Sequence, residues 1–142
     1  MAVQFVFFDI GGTLGDRDAA GKLVPFPSTR NLLTKVTDPA WIGRRIGVIT
    51  NLGDLTNAQG RQLLADAGLL DFLDPNGFVS ERDVDGKAKP NAEIYRHAAA
   101  AVGVPIADCL FVGENLIEVI GALAAGMTAL LKPCPPGREL PT

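Results

Sequence analysis

Five short apolar runs, separated by segments with helical patterning, are the feature that most constrains how this chain can fold. The runs are rich in Val, Ile, Leu and Phe, and they cover residues 3–8, 46–50, 78–80, 109–112 and 128–131. Runs of this kind are typical of strands that are buried on both faces of a sheet. Alternation of such strands with helices indicates right-handed crossovers. We therefore predict an α/β, Rossmann-like three-layer sandwich around a central, mostly parallel five-stranded sheet.

The segments between the runs predict four helices, over residues 28–36, 54–68, 92–102 and 116–125. Ser28 is expected to cap the first helix, and Asp54 or Thr56 to open the second. Pro90 is expected in the first turn of the third helix, where its missing N–H costs nothing. Residues 14–27 are rich in Asp, Gly and Pro and predict a flap or hairpin.

Length and composition favour one globular domain, because 142 residues that are 47% apolar can bury a sizeable core. We expect that domain over residues 1–132, followed by a Pro-rich tail over residues 133–142. A net charge of −3 without a basic block argues against nucleic acid or a membrane as a partner. Two cysteines without a Cys/His cluster, and the lack of a signal peptide or a bilayer-length apolar stretch, favour a cytoplasmic protein.

Polar residues stand at the ends of three predicted strands. Asp9 follows the first strand, Thr50 and Asn51 close the second, and Glu114 follows the fourth. Parallel sheets of this type bind ligands at the carboxyl ends of their strands. Each residue alone could simply cap a loop. Together they offer a carboxylate, a hydroxyl and a backbone amide at one edge of the sheet.

A lysine and a second carboxylate extend this pattern. Lys89 precedes a predicted helix, where its ammonium could neutralise a phosphate, although a solvated surface lysine is the common alternative. Glu118 stands four residues after Glu114, so the two carboxylates could share Mg²⁺ or could form an exposed acidic face. The order of these residues along the chain, more than any one of them, indicates a phosphate and metal site.

Four ordered segments that contain these residues resemble the motifs of the haloacid dehalogenase (HAD) superfamily. They are FDIGGTL at residues 8–14, VITN at 48–51, GKAKPN at 86–91 and FVGENLIE at 111–118. The resemblance covers about residues 3–132 and is that of a capless (C0-type) HAD-like hydrolase with a degenerate first motif. It implies an HAD-like core without a cap domain.

The resemblance implies a phosphoryl-transfer site with Asp9, Thr50 and Lys89 as its catalytic residues. Asp9 would attack phosphorus and form an aspartyl-phosphate, while Lys89 would screen the nucleophile and the phosphate. The phosphate-binding residues would be Gly11, Gly12, Thr50, Asn51 and Lys89. The substrate would be a phosphorylated small molecule or a phosphoprotein.

The resemblance also implies Mg²⁺ as the cofactor. Asp9, the Gly11 carbonyl and Glu114 would bind the ion, and Glu118 would bind it directly or through water. Glu stands at 114 and 118 where the family more often has Asp, and the longer side chain shifts the geometry of the site.

The first motif departs from the family pattern at Gly11, where HAD phosphatases usually carry an Asp that serves as the general acid. Its loss costs about 10²- to 10⁴-fold on poor leaving groups. Asp16 or Asp18 on the flap could substitute, and Arg17 there is interpreted as a solvated charge that could touch a substrate.

Three functions follow from these residues. The leading prediction is a Mg²⁺-dependent phosphatase, weak or restricted to good leaving groups. The alternative is a catalytically inactive HAD-like module that binds a phosphorylated ligand or protein. A dehalogenase in the strict sense ranks third, because such enzymes need a cap to enclose the halide. An open site could also take its lid from a second copy, which makes a homo-oligomer plausible.

Overall fold

The computed structural model describes residues 2–133, and its central sheet confirms the predicted α/β architecture. The seven strands are β1 (Phe5–Phe8), β2 (Gly15–Arg17), β3 (Leu23–Pro25), β4 (Arg45–Thr50), β5 (Phe78–Ser80), β6 (Cys109–Gly113) and β7 (Thr128–Leu131). Five of them form one sheet in the order β5-β4-β1-β6-β7, and each neighbouring pair is parallel. The fold is therefore a Rossmann-like sandwich with β1 at its centre.

Four α-helices connect these strands: α1 (Thr29–Thr37), α2 (Asn57–Asp66), α3 (Ala92–Val102) and α4 (Leu116–Ala125). Of the two predicted starts of α2, Thr56 is the N-cap, and its hydroxyl accepts a hydrogen bond from the Gln59 amide. The Gln59 side chain accepts one from the Thr56 amide in return, which completes a capping box.

One prediction about a helix start is confirmed in position only, and another is wrong. Ser28 occupies the N-cap position of α1, but its backbone is already helical (φ −88°, ψ −9°), and its side chain makes no capping hydrogen bond. Pro90 lies outside α3, because Asn91 is the N-cap and accepts a hydrogen bond from the Glu93 amide. The Lys89–Pro90 peptide bond is cis. The segment from 89 to 91 is a turn that leads into the helix.

Strand β1 is buried on both faces and fixes the position of the residue that follows it. Phe5 and Phe7 belong to the core cluster that contains the buried side chains of α3 and α4. Val6 and Phe8 belong to the opposite cluster, which contains Leu33 and Val36 of α1 and Leu64 of α2. Because successive side chains of a strand point to opposite faces, this short strand is held by both helical layers.

The connections between the strands leave no room for a cap domain within residues 2–133. Only α1 and the antiparallel hairpin of β2 and β3 lie between β1 and β4, and the hairpin falls in the segment predicted as a flap. Only α2 and a short 3₁₀ turn lie between β4 and β5. Within residues 2–133, the hairpin is therefore the one element inserted between β1 and α1.

The boundaries of the domain remain a prediction. Residues 134–142 of the expected Pro-rich tail lie outside the described residues. Within residues 2–133, no helix has the length and hydropathy that a bilayer crossing requires.

Candidate active site

Asp9 lies at the carboxyl end of β1, between the two strands that flank it. Phe8 pairs with Val48 of β4 and with Val112 of β6, and the Asp9 amide donates to the Val112 carbonyl at 3.0 Å. The Asp9 residue is 8% exposed. The backbone that carries the Asp9 carboxylate is therefore held in place at the centre of the carboxyl edge of the sheet.

Lys89 is buried between two carboxylates. Its Nζ donates to Asp9 Oδ1 at 2.7 Å and lies 2.6 Å from Glu118 Oε1. That Glu118 oxygen is itself buried and makes no hydrogen bond of good geometry, so its contact with Lys89 is an ionic one. The ammonium also lies 5.2 Å from the centroid of the Phe111 ring. A buried lysine needs such partners, because an unpaired buried charge is strongly unfavourable.

Asn51 fixes the backbone that carries this lysine. Its Oδ1 accepts from the Lys89 amide at 2.9 Å, and its Nδ2 donates to the Lys89 carbonyl at 3.2 Å. A carboxamide is suited to this pair of contacts because it carries one acceptor and one donor group. The sequence predicts a role for the backbone amide of Asn51 but gives no sign of this use of its side chain.

Tyr95 of α3 binds the backbone of Glu118, the residue that carries the other carboxylate of the pair, and the sequence did not predict this contact. Its hydroxyl donates to the backbone carbonyl of Glu118 at 2.6 Å, and its ring packs edge-on against Phe111. Burial, followed by the charges of Glu118 and Asp9, raises the pKa of Tyr95 above its ordinary value. The phenol therefore stays protonated and remains a donor to the first turn of α4.

Glu114 packs over the glycine-rich loop that follows Asp9. A Cβ atom on Gly12 would lie 2.6 Å from Glu114 Cγ and 2.8 Å from its Oε1, so this side chain requires a glycine there. Gly12 also has a φ of +78°, which glycine adopts at little cost. The Glu114 amide donates to the Thr13 hydroxyl at 3.1 Å. The loop and the start of α4 are thereby joined.

The donor set at this edge fits a partly hydrated Mg²⁺ ion. No group of three or more acidic, His or Cys side chains within residues 2–133 is arranged to hold a metal. Mg²⁺, however, usually keeps several waters and binds one or two carboxylates together with substrate phosphates. Asp9 and Glu114 supply two carboxylates beside the loop, and Glu118 contacts Lys89.

A cavity of about 140 Å³ opens beside the predicted phosphate-binding residues. Gly11, Thr50 and Asn51 line it, and Thr50 is 5% exposed. The other lining residues are Ile10, Arg17, Leu23, Leu52, Leu55 and Leu63. The structure therefore brings residues from two predicted motifs to a single pocket.

The flap carboxylate Asp18 is not placed to replace the missing general acid. Its Oδ1 accepts hydrogen bonds from the amides of Ala20 and Lys22, both at 2.9 Å, and so closes the turn between β2 and β3. Neither Asp18 nor Asp16 lines the 140 Å³ cavity, and Asp9, Lys89 and Glu114 do not line it either, although Gly11 of the loop does.

A carboxylate, a buried lysine and a glycine-rich loop thus meet at the carboxyl edge of a parallel sheet, where folds of this type bind their ligands. A family model described as haloacid dehalogenase-like hydrolase matches residues 13–126. The chain belongs to this family.

Curated relatives of this chain carry phosphatase names. Over 89 residues, 63% of this chain, it is 39% identical to Phosphatase MT3486 of Mycobacterium tuberculosis and covers 39% of that protein. Over 102 residues, 72% of this chain, it is 30% identical to a phosphoglycolate phosphatase of Neisseria meningitidis and covers 40% of that protein. The chain therefore spans about two fifths of the length of these relatives.

A solved structure of similar size supports the fold. An uncharacterized protein from Listeria monocytogenes serotype 4b superposes with a TM-score of 0.79 at 19% identity, over 97% of this chain and 85% of that one. A likeness at this identity concerns the fold alone.

Proposed function

We propose that this protein is a Mg²⁺-dependent phosphohydrolase that acts through an aspartyl-phosphate on Asp9. The observation that carries the proposal is the contact of 2.7 Å between the Asp9 carboxylate and the buried ammonium of Lys89. A nucleophile fixed by a cation at the carboxyl edge of the sheet, next to a loop whose Gly11 lines a small cavity, is suited to phosphoryl transfer, in which positioning and charge stabilisation dominate. The phosphatase names of the two relatives support the same class of reaction.

In the first step, a carboxylate oxygen of Asp9 forms a bond to phosphorus. The bond between phosphorus and the leaving oxygen breaks, and that oxygen keeps the electron pair. Water then forms a bond to the phosphorus of the aspartyl-phosphate, and the bond between phosphorus and the Asp9 oxygen breaks. The Asp9 carboxylate returns, inorganic phosphate leaves, and the proton that water loses goes to the solvent. In both steps negative charge is spread over the equatorial oxygens of the phosphoryl group.

The surrounding residues stabilise that charge. Lys89 supplies a positive charge next to the nucleophile, and the Thr50 hydroxyl with the Asn51 amide supplies hydrogen-bond donors at the pocket. Mg²⁺, held by Asp9, the Gly11 carbonyl and Glu114, would supply further positive charge for the phosphoryl oxygens. Glu118 acts through Lys89 in this scheme.

Gly11 determines which substrates react well. No side chain at this position can protonate the leaving oxygen, so a leaving group that is stable as an anion is favoured. Aryl and acyl phosphates meet this requirement better than alkyl phosphates do. The size of the cavity favours a small phosphorylated molecule over a phosphoprotein side chain.

The test is phosphate release by the wild type and by Asp9→Asn from p-nitrophenyl phosphate and acetyl phosphate, each with Mg²⁺ and with chelator. We expect turnover that requires both Asp9 and Mg²⁺, because the carboxamide is a poor nucleophile. Asp66→Asn, the same change at the end of α2, serves as the control and should turn over normally. Unchanged activity in Asp9→Asn would contradict the proposal.

The alternative of an inactive binding module is favoured by one observation, the missing carboxylate at Gly11. Calorimetric titration with inorganic phosphate distinguishes the two functions. Binding that depends on Lys89, without turnover of any phosphoester, would support the module and exclude the hydrolase.

A further inference from the structure

The hairpin places an exposed cation on the wall of the 140 Å³ cavity that Gly11, Thr50 and Asn51 also line. Arg17 lies at the end of β2, and its Nε donates to the Gly21 carbonyl at 3.2 Å. A Cβ atom at Gly21 would lie 3.2 Å from Arg17 Nη2, so the guanidinium lies against this turn. The hydrogen bond restricts the side chain while it lines the cavity.

The rest of that cavity wall is apolar. Arg17 is the one ionisable side chain among the residues that line the cavity, and five of the others are Leu or Ile. At about 140 Å³ the cavity has room for about five water molecules. It is smaller than the pockets of about 300–1,000 Å³ that take drug-sized ligands. A ligand here is small, and Arg17 is the charged group that it meets beyond the phosphoryl site.

Arg17 stands apart from the phosphoryl end of the cavity. Gly15, at the start of β2, forms a bridge with Gly11 of the loop. Arg17 is two residues farther along the strand, a distance of about 7 Å at the rise of an extended chain. It pairs with Leu23 of β3, which also lines the cavity. This separation leaves space for the small organic part of a substrate between Arg17 and the phosphoryl group. It is too long for a direct contact of the Arg17 backbone position with the phosphoryl site.

We propose that Arg17 is a specificity-determining residue that binds a carboxylate on the body of a small phosphorylated substrate. The inference rests on the proposed function, since it takes the phosphoryl group to lie at Asp9. A guanidinium pairs with a carboxylate through two parallel N–H···O bonds, which gives direction as well as affinity. The apolar walls contact the carbon body between the two charged ends of this ligand.

The experiment compares two aryl phosphates that differ only in charge at the far end, 4-carboxyphenyl phosphate and 4-carbamoylphenyl phosphate. Both have leaving groups that do not need an acid at position 11. We expect the wild type to favour the carboxylate by about tenfold in kcat/KM. In Arg17→Gln, kcat/KM should fall for 4-carboxyphenyl phosphate and stay unchanged for 4-carbamoylphenyl phosphate, so that the preference is lost. Arg17→Lys should keep part of the preference.

Lys22→Gln is the matched control, because it removes a cation from the same hairpin at a residue that does not line the cavity. This variant should keep the preference of the wild type. An equal loss of kcat/KM on both substrates in Arg17→Gln would overturn the proposal, since Arg17 would then act on the phosphoryl group or on the hairpin. No loss on either substrate would also overturn it.

Binding separates a failure of this proposal from a failure of the proposed function. If the wild type turns over neither substrate, the affinity of 4-carboxyphenyl phosphate is measured by calorimetry in the presence of Mg²⁺. Weaker binding in Arg17→Gln, with the 4-carbamoyl compound unaffected, supports the Arg17 site although hydrolysis is absent. Equal affinities in the two proteins overturn it.

Discussion

Gly11 lacks the carboxylate that HAD phosphatases usually carry at this position, but the structure has room for a side chain there. A Cβ atom built at this glycine meets no atom within 4 Å, and its φ lies outside the left-handed region. The neighbouring Gly12 has the opposite properties, because both its φ of +78° and the Glu114 side chain exclude a substituent. Of the two glycines, position 11 alone accepts a side chain without strain.

Gly11→Asp should therefore create the general acid that the first motif lacks. We expect the turnover of an alkyl phosphate such as glycerol 1-phosphate to rise by about 10²- to 10⁴-fold. The gain on acetyl phosphate should be much smaller, because that leaving group departs without a proton. Phosphate release from both substrates, measured side by side, gives the comparison.

Gly11→Asn is the control, since it has nearly the same shape but cannot protonate a leaving oxygen. It should leave the alkyl phosphate at the wild-type rate. A folded Gly11→Asp protein with no gain on any alkyl phosphate would show that the missing acid does not limit this site.

Helix α4 positions the Lys89 turn through a residue without a side chain. A Cβ atom at Gly121 would lie 2.6 Å from Pro90 Cβ and 2.7 Å from the Pro90 carbonyl oxygen. Pro90 follows Lys89 directly, and the backbone of that lysine is held from the other side by Asn51. The turn is thus confined between α4 and the end of β4.

Gly121→Ala should displace this turn and reduce catalysis. We expect kcat/KM for p-nitrophenyl phosphate to fall by about tenfold, because Lys89 would move relative to Asp9. Overpacking costs about 1–3 kcal/mol, whereas the gain in helix propensity returns about 1 kcal/mol, so the loss of stability should be modest. Steady-state kinetics and thermal unfolding on the same samples separate the two effects.

Gly60→Ala, the same change within α2, provides the comparison. Its added Cβ meets the ends of the Phe78 and Leu52 side chains, which can move, and not a fixed backbone. Lys89 should stay in place in this variant. An undiminished kcat/KM in Gly121→Ala would mean that α4 does not set the position of the lysine.

The elements could be predicted from the sequence because their signals are local. The apolar runs at 3–8 and 109–112 overlap β1 and β6 almost completely, since burial on both faces of a sheet shows directly in composition. The start of α1 at Ser28 was predicted wrongly in one respect. Whether a side chain caps a helix depends on backbone angles that the residue type does not fix.

Burial of ionisable core groups makes the stability of the whole molecule sensitive to alkali. Burial, with a smaller contribution from Asp108, raises the pKa of Cys109 from its ordinary value of 9.0 to about 11. The pKa of Tyr95 is raised as well. Between pH 9.0 and about 11, the Cys109 thiol has lost its proton in the unfolded chain but keeps it in the folded protein. The unfolded state then binds fewer protons, so the free energy of unfolding falls as the pH rises.

We expect Cys109 to contribute a decrease of about 1.4 kcal/mol per pH unit in this window. Urea unfolding at a series of pH values above the ordinary thiol pKa measures the slope. Cys109→Ala should show a shallower slope, although its absolute stability changes because a buried group is lost. Identical slopes for the two proteins would argue against a protonated thiol in the folded core.

From the sequence alone, the site could be predicted only as a group of polar residues at the carboxyl ends of neighbouring strands. Asp9 and Lys89 are 80 residues apart, and the contact between them depends on how three elements pack. The family motifs indicated that these residues meet, but not that Glu118 contacts the same ammonium. Tyr95 gave no signal at all, because an aromatic residue on a helix face is most often ordinary core.

The contact between Asn51 and Lys89 places unequal constraints on how these two positions can change over evolution. Asn51 binds only main-chain atoms of residue 89, and every amino acid except proline presents the same N–H and C=O there. A change of the cation to arginine would therefore keep both main-chain groups that Asn51 binds. Position 51 has no such latitude, since only a short carboxamide offers both groups at that reach. Redesign of the charge at this site can start from residue 89 without rebuilding the loop that supports it.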